Sequence, residues 1–150
     1  MPWRALALLP TLLSGTLTMA QMPPSPTTLD QLRDRYRPLL VFAAQPGDPA
    51  LLAQLHMLKD SAPGLTQRDV LVIAVPYNTP SPSDTNLTPE ATAAARRRFH
   101  IAPPDFTVIL LGKDGGEKLR SAKPVSFTKL QEKIDSMPMR QQEMTDPARR

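Results

Sequence analysis

The stretch Leu39-Leu40-Val41-Phe42-Ala43, which continues into Gln45-Pro46-Gly47-Asp48-Pro49, decides the fold of this chain. An uninterrupted apolar run between Pro38 and Pro46 is typical of a strand that is buried on both faces. Asp48 and Pro49 then match the N-cap and the first turn of a helix. The segment therefore predicts a buried strand that leads through a tight turn into a helix.

The rest of the chain repeats this alternation. Further strands are predicted at 70–75, 107–111 and 117–120, the last two joined by a turn at 112–116. Helices are predicted behind the caps Thr28, Asp48, Thr88 and Ser126, and the second of them is expected to stop at Pro63-Gly64. The order α, β, α, β, α, β, β, α predicts an α/β, three-layer fold with a mixed four-stranded sheet and helices on both faces. The helical crossovers require the first strands to be parallel, and the Gly-rich turn makes the last pair antiparallel.

The N-terminus predicts a secretory signal. Arg4 precedes an apolar run from Ala5 to Leu13, and Thr18-Met19-Ala20 offers a small residue for cleavage before Gln21. The run is shorter than the about 20 residues that a membrane span requires. We expect a signal peptide (1–20), a linker (21–27), one domain (28–139) and a loosely held polar tail (140–150). The mature chain is then exported to the periplasm or the extracellular medium, with no membrane span, and is monomeric.

Composition excludes several functions. The chain of 150 residues contains no cysteine, so thiol chemistry and disulfides are excluded and a packed core must provide the stability. Removal of the signal lowers the formal net charge from +4 to +3, because Arg4 is its one charged residue. A charge this small, with no aromatic residues between the basic ones, does not indicate a nucleic-acid partner.

Three segments resemble one family of secreted proteins. They are Arg37–Ala43, Phe106–Gly116 and the stretch from Ile134 to the Met-Pro-Met-Arg sequence that ends at Arg140. The family is domain of unknown function 4174, which is similar to domains of equarin-type extracellular matrix proteins and is regarded as thioredoxin- or peroxiredoxin-like. The resemblance covers about residues 29–144 and implies a thioredoxin-like fold.

The same resemblance shows a departure from ordinary thioredoxins. Their substrate-binding cis-proline directly precedes the third strand, a place that Phe106 holds here, while Pro103 and Pro104 lie earlier. Recognition of a peptide backbone in the thioredoxin manner is therefore not implied. Both X–Pro bonds could adopt either isomer, although trans is the common form.

One binding site follows from the expected topology. Ligands of α/β sheets bind beyond the carboxyl ends of parallel strands, where Gln45, Pro46, Gly47 and Asp48 open a helix whose free amides attract anions or carbonyl oxygens. Pro103, Pro104 and Phe106 neighbour that turn if the thioredoxin pattern holds. Two alternatives stay open: Asp48 itself can occupy the amides as a cap, and Phe106 can pack inward beside Phe42.

No catalytic residue, metal site or cofactor is indicated. The two histidines, His56 and His100, lie on different elements and no nucleophile motif accompanies them. We therefore expect a non-catalytic binding or structural module of the cell envelope, with an unknown envelope or extracellular protein as its partner. The alternative is an enzyme that combines the Gln45–Asp48 turn with a histidine.

A basic run adds one further candidate. Arg96, Arg97 and Arg98 point in three directions on a helix, which is typical of a solvated surface, and their charge makes an anionic ligand the alternative.

Overall fold

A computed structural model describes residues 27–77, 79–81, 83, 85–146 and 148. The predicted signal peptide and the predicted linker as far as Pro26 lie outside the described residues. Thr27, which we assigned to the linker, is fully buried and pairs with Leu87 in an isolated parallel bridge, so this residue belongs to the folded domain. Along the described part of the chain, none of the helices combines the length and the apolar character needed to cross a membrane.

Ten elements are present in the part of the chain that the structure describes. The helices are α1 (Leu29–Leu32), α2 (Pro49–Lys59), α3 (Ala62–Thr66), α4 (Pro89–Phe99), α5 (Phe127–Asp135) and α6 (Pro138–Thr145). The strands are β1 (Arg37–Ala43), β2 (Val70–Pro76), β3 (Thr107–Leu111) and β4 (Glu117–Ser121). The strands form one mixed sheet in the order β2-β1-β3-β4, which confirms the predicted α/β fold.

Strand directions follow the path of the connections. β1 and β2 are parallel and β3 and β4 are antiparallel, as predicted, but β3 runs antiparallel to β1 although a helix precedes it. Arg96, near the end of α4, reaches the last residues of β1 and β2, so β3 begins at that same edge.

The core has two layers because β1 is buried on both faces, as its apolar run predicts. Leu39, Val41 and Ala43 pack on the side that holds α2, α3 and α5, whereas Leu40 and Phe42 pack on the side that holds α1 and α4. Burial of large apolar side chains on both faces provides the stability that a chain without disulfides requires.

The predicted helix starts are confirmed at all four caps. The side chains of Thr28, Asp48, Thr88 and Ser126 each accept a hydrogen bond from a first-turn amide. The predicted stop at Pro63-Gly64 is wrong, because α2 ends at Lys59 and both residues lie inside α3. Proline is tolerated in a first helical turn, and a Cβ at Gly64 would overlap the ring of Phe127. Close packing therefore explains this glycine.

The expectation of a loosely held tail is wrong for its first part, because α6 continues to Thr145. Pro138 lies in the first turn, and Arg140 is buried. The guanidinium of Arg140 donates to the carbonyl oxygen of Gln67 at 3.2 Å and lies 3.4 Å from a carboxylate oxygen of Asp135. Polar contacts with distant residues, which no local pattern reveals, fix this helix in place.

Candidate functional site

The Gln45–Asp48 turn lies directly beyond the carboxyl end of β1. Asp48 Oδ1 accepts hydrogen bonds from the amides of Ala50 at 2.8 Å and Leu51 at 3.3 Å. The first-turn amides that could attract an anion are therefore occupied by the chain's own carboxylate. The turn closes through a hydrogen bond from the Asp48 amide to the Gln45 carbonyl at 3.1 Å, and it leaves Gln45 and Gly47 exposed.

The segment that precedes β3 lies next to this turn. Phe42 pairs with Thr107 in the antiparallel register, so the preceding residue, Phe106, lies level with Ala43, the last residue of β1. Pro103 and Pro104 are exposed and lie in a turn. The turn is closed by a hydrogen bond of 3.1 Å from the Asp105 amide to the Ala102 carbonyl oxygen. The topology thus brings the two predicted segments to one edge of the sheet.

Phe106 differs from the other six predicted residues because its ring packs against the hydrophobic core. It is half-buried and packs against the core layer that contains Leu51 and Val108. The alternative that Phe106 packs inward beside Phe42 is therefore right that the ring packs inward. It is wrong about Phe42, which belongs to the opposite core layer. We call the remaining six residues the strand-end surface: Gln45, Pro46, Gly47, Asp48, Pro103 and Pro104.

Arg96 joins the strands beneath this surface. Its Nη2 donates to the carbonyl oxygens of Ala43 at 2.8 Å and Val75 at 2.9 Å, and its Nη1 donates to that of Ala102 at 3.2 Å. Desolvation lowers the pKa of Arg96, against smaller opposing effects of Tyr77 and Asp105. The side chain is 7% exposed, so the expectation of a solvated arginine is wrong for this residue.

Arg97 and Arg98 remain exposed, as expected. Arg98 Nη2 donates to the carbonyl oxygen of Gly115 at 2.6 Å, which ties the end of α4 to the β3–β4 turn. The three arginines therefore do not converge on one point. The sequence contains a pattern that indicates the burial of Arg96. This residue lies four positions after Thr92 and three before Phe99, so all three share the helix face that meets the sheet.

The histidines do not join the site. His56 and His100 are exposed, and among the described residues no hydrogen bond of either imidazole is found. His100 ends α4 with a left-handed backbone (φ 54°), a conformation in which histidine is enriched. The described residues also contain no group of three or more histidine or acidic side chains that could hold a metal ion.

The fold resembles that of known peroxiredoxins. The reduced 2-Cys peroxiredoxin of Plasmodium vivax is similar with a TM-score of 0.56 and 14% identity, over 76% of this chain and 84% of that one. Thioredoxin peroxidase I of Plasmodium yoelii is similar with a TM-score of 0.56 and 16% identity, over 80% of this chain and 83% of that one. No curated protein is a significant match.

Sheet order, layer arrangement and these likenesses define a thioredoxin-like domain. At such low identity the likeness concerns the fold alone, and the sequence supplies no cysteine for the chemistry of a peroxiredoxin. Within this class, the chain belongs to the family described as Domain of unknown function (DUF4174), whose model matches residues 28–143.

Proposed function

We propose that this chain is an exported, non-catalytic binding module of the cell envelope or the extracellular space, which docks a protein partner on the strand-end surface. One observation carries the proposal. The fold is that of a redox domain, but the turn where such a domain begins its first long helix holds Asp48 as a cap and no cysteine. The position is thus occupied by a structural hydrogen bond and has no nucleophile.

The geometry around the turn also supports a non-catalytic role. The amides that could stabilise a developing negative charge already receive the Asp48 carboxylate. A general base needs a hydrogen-bonded nucleophile and an orienting group, and neither accompanies His56 or His100 among the described residues. Binding, in contrast, requires only an exposed surface of defined shape.

The strand-end surface has such a shape. Pro103 and Pro104 are exposed, and proline rings fix the backbone φ, so little conformational entropy is lost when a partner binds. Gln45 supplies an exposed side chain with both donor and acceptor atoms, and a Cβ at Gly47 would meet no neighbouring atom. A partner's backbone can therefore approach this turn closely.

Export is tested by the mass of the chain. The protein is produced in its own host, recovered from the medium and from the periplasm or cell surface, and measured intact. We expect a chain that begins at Gln21. Exported protein that still carries Met1 contradicts the signal-peptide interpretation.

Docking is tested with a photo-crosslinking residue placed at Gln45 or at Pro104. Placement at Lys129, which is exposed on α5, serves as the matched control. We expect the two strand-end positions to give the same discrete crosslinked protein in intact cells and Lys129 to give none. Equal crosslinking from all three positions indicates nonspecific contact and contradicts the proposed surface.

Absence of catalysis is tested on the purified protein with disulfide reductase, peroxidase and hydrolase substrates. We expect turnover no faster than that of the double variant His56→Ala/His100→Ala. Activity that either substitution abolishes favours the alternative, an enzyme that uses the turn together with a histidine.

A further inference from the structure

A cavity of about 710 Å³ lies between the end of β2 and one face of α4. It is lined by the end of β2, by described residues of the segment after it and by α4. Much of its lining is apolar, formed by Val75, Pro76, Pro80, Leu87, Pro89 and Ala93. Cavities of this size and character are typical of sites that bind small organic molecules.

One buried cation lines this cavity. Arg96 is the sole charged residue among the described lining residues. No carboxylate of the described residues forms an ion pair with it, and the rings of Phe42 and Tyr77 lie 5.5 Å and 5.3 Å from its guanidinium carbon. Burial has thus removed the charge from water, and among the described residues no carboxylate lies within ion-pair distance, although Asp105 acts on the charge from farther away.

The hydrogen bonds of Arg96 are also incomplete. A guanidinium carries five N–H donors, and Arg96 directs Nη1 and Nη2 to three carbonyl oxygens. Its Nε is buried and has no hydrogen-bond partner among the residues that the structure describes. An unsatisfied buried donor costs free energy and requires an explanation, which a bound acceptor would provide.

We propose that this cavity binds a small monocarboxylic acid with an apolar body, whose carboxylate pairs with Arg96 and whose body lies against the apolar lining. A carboxylate supplies both the missing charge and an acceptor for the free donor. A phosphate fits less well, because its larger charge requires several donors and the described lining offers a single cation. This small-molecule site goes beyond the proposed protein docking and does not depend on it.

The ligand must reach a guanidinium that Tyr77 partly covers. Tyr77 lines the cavity and is 40% exposed. Exposed side chains change rotamer rapidly, so this ring can turn aside and admit a carboxylate to Arg96. The apolar body then occupies the space between the segment 79–81 and α4.

The test is calorimetric titration of the purified protein with octanoate, 1-octanol and acetate. We expect octanoate to bind at least tenfold more tightly than either of the others, since octanol lacks the charge and acetate lacks the apolar body. Equal affinity for octanoate and octanol overturns the role of Arg96. No measurable binding of octanoate at millimolar concentration overturns the site.

Two alanines of α4 provide a matched pair of variants. Both are exposed, but Ala93 lines the cavity and Ala94 does not. We expect Ala93→Trp to weaken octanoate binding at least tenfold and Ala94→Trp to change it less than twofold. Equal effects of the two substitutions overturn the location. This pair leaves Arg96 in place, so the outcome does not depend on whether an Arg96 variant folds.

Discussion

Arg37 and Glu143 form an ion pair across 106 positions of sequence, with Nη2 of the first 3.1 Å from Oε1 of the second. Arg37 begins β1 and is 1% exposed, while Glu143 lies in α6. Lys113, in the β3–β4 turn, places its Nζ 2.6 Å from the same oxygen and 2.7 Å from Asp69 Oδ2. Arg140 Nη1 lies 3.5 Å from the other oxygen of the same group. Three buried cations thus meet one carboxylate, which joins the last helix to the end of the sheet.

The first prediction concerns this carboxylate. Glu143→Gln keeps the shape of the side chain but leaves Arg37 and Lys113 without its negative charge. Because a buried charge that loses its partner is destabilising, we expect the free energy of unfolding to fall by about 3 kcal/mol. Urea denaturation followed by circular dichroism measures the change.

The matched control is Glu132→Gln on α5, where the side chain is exposed. We expect that substitution to change the free energy of unfolding by less than about 0.5 kcal/mol. Equal stability of the two variants would contradict the structural role of the ion pair.

The second prediction is the pH dependence of stability. Burial alone would raise the pKa of Glu143, but hydrogen bonds from Lys113 and Arg37 outweigh it and lower this pKa from 4.5 to about 2. The folded pKa lies below the unfolded one, so this contribution is complete above pH 4.5 and is lost as the pH falls toward 2. We expect a loss of about 3 kcal/mol across that interval.

Urea denaturation of the wild type and of Glu143→Gln between pH 6 and pH 2 tests this prediction. Asp135 contributes in the same direction, because a hydrogen bond from Arg68 lowers its pKa, but it is present in both proteins. The difference between the two curves therefore isolates Glu143. A constant difference at all pH values would contradict the assignment.

The third prediction concerns Arg96. Arg96→Gln removes the donors that satisfy the carbonyl oxygens of Ala43 and Val75 at the ends of β1 and β2. Since these acceptors lie in a buried part of the structure, we expect the free energy of unfolding to fall by about 3 kcal/mol. Arg97→Gln, which removes the same charge from an exposed position one residue later, should change it by less than about 0.5 kcal/mol. Thermal and urea denaturation of both variants decide whether the buried position matters.

The fourth prediction separates packing from docking at Phe106. The ring is half-buried against the layer that includes Leu51, so Phe106→Ala should lower the free energy of unfolding by about 2 kcal/mol. We expect the variant to keep its crosslink from Gln45 under conditions in which it is folded. A variant of unchanged stability that loses the crosslink would instead identify Phe106 as a docking residue.

The sequence by itself determined the parts of the fold that depend on local rules. A continuous apolar run marked β1 as a strand buried on two faces, and side chains such as Thr88 fixed the start of a helix. These features depend on residues within one turn or one strand, where spacing and capping chemistry act directly. The absence of cysteine likewise excluded thiol chemistry without any coordinates.

Tertiary structure alone decided which polar residues became internal. Glu143 appeared to belong to a polar tail and Arg96 to a basic surface, yet each pairs with groups contributed by distant strands. A buried charge is tolerated only where its partners converge, and the partners of Arg96 lie 53 and 21 positions away. The candidate sites follow from that convergence, because side chains separated in sequence meet only after the sheet has assembled.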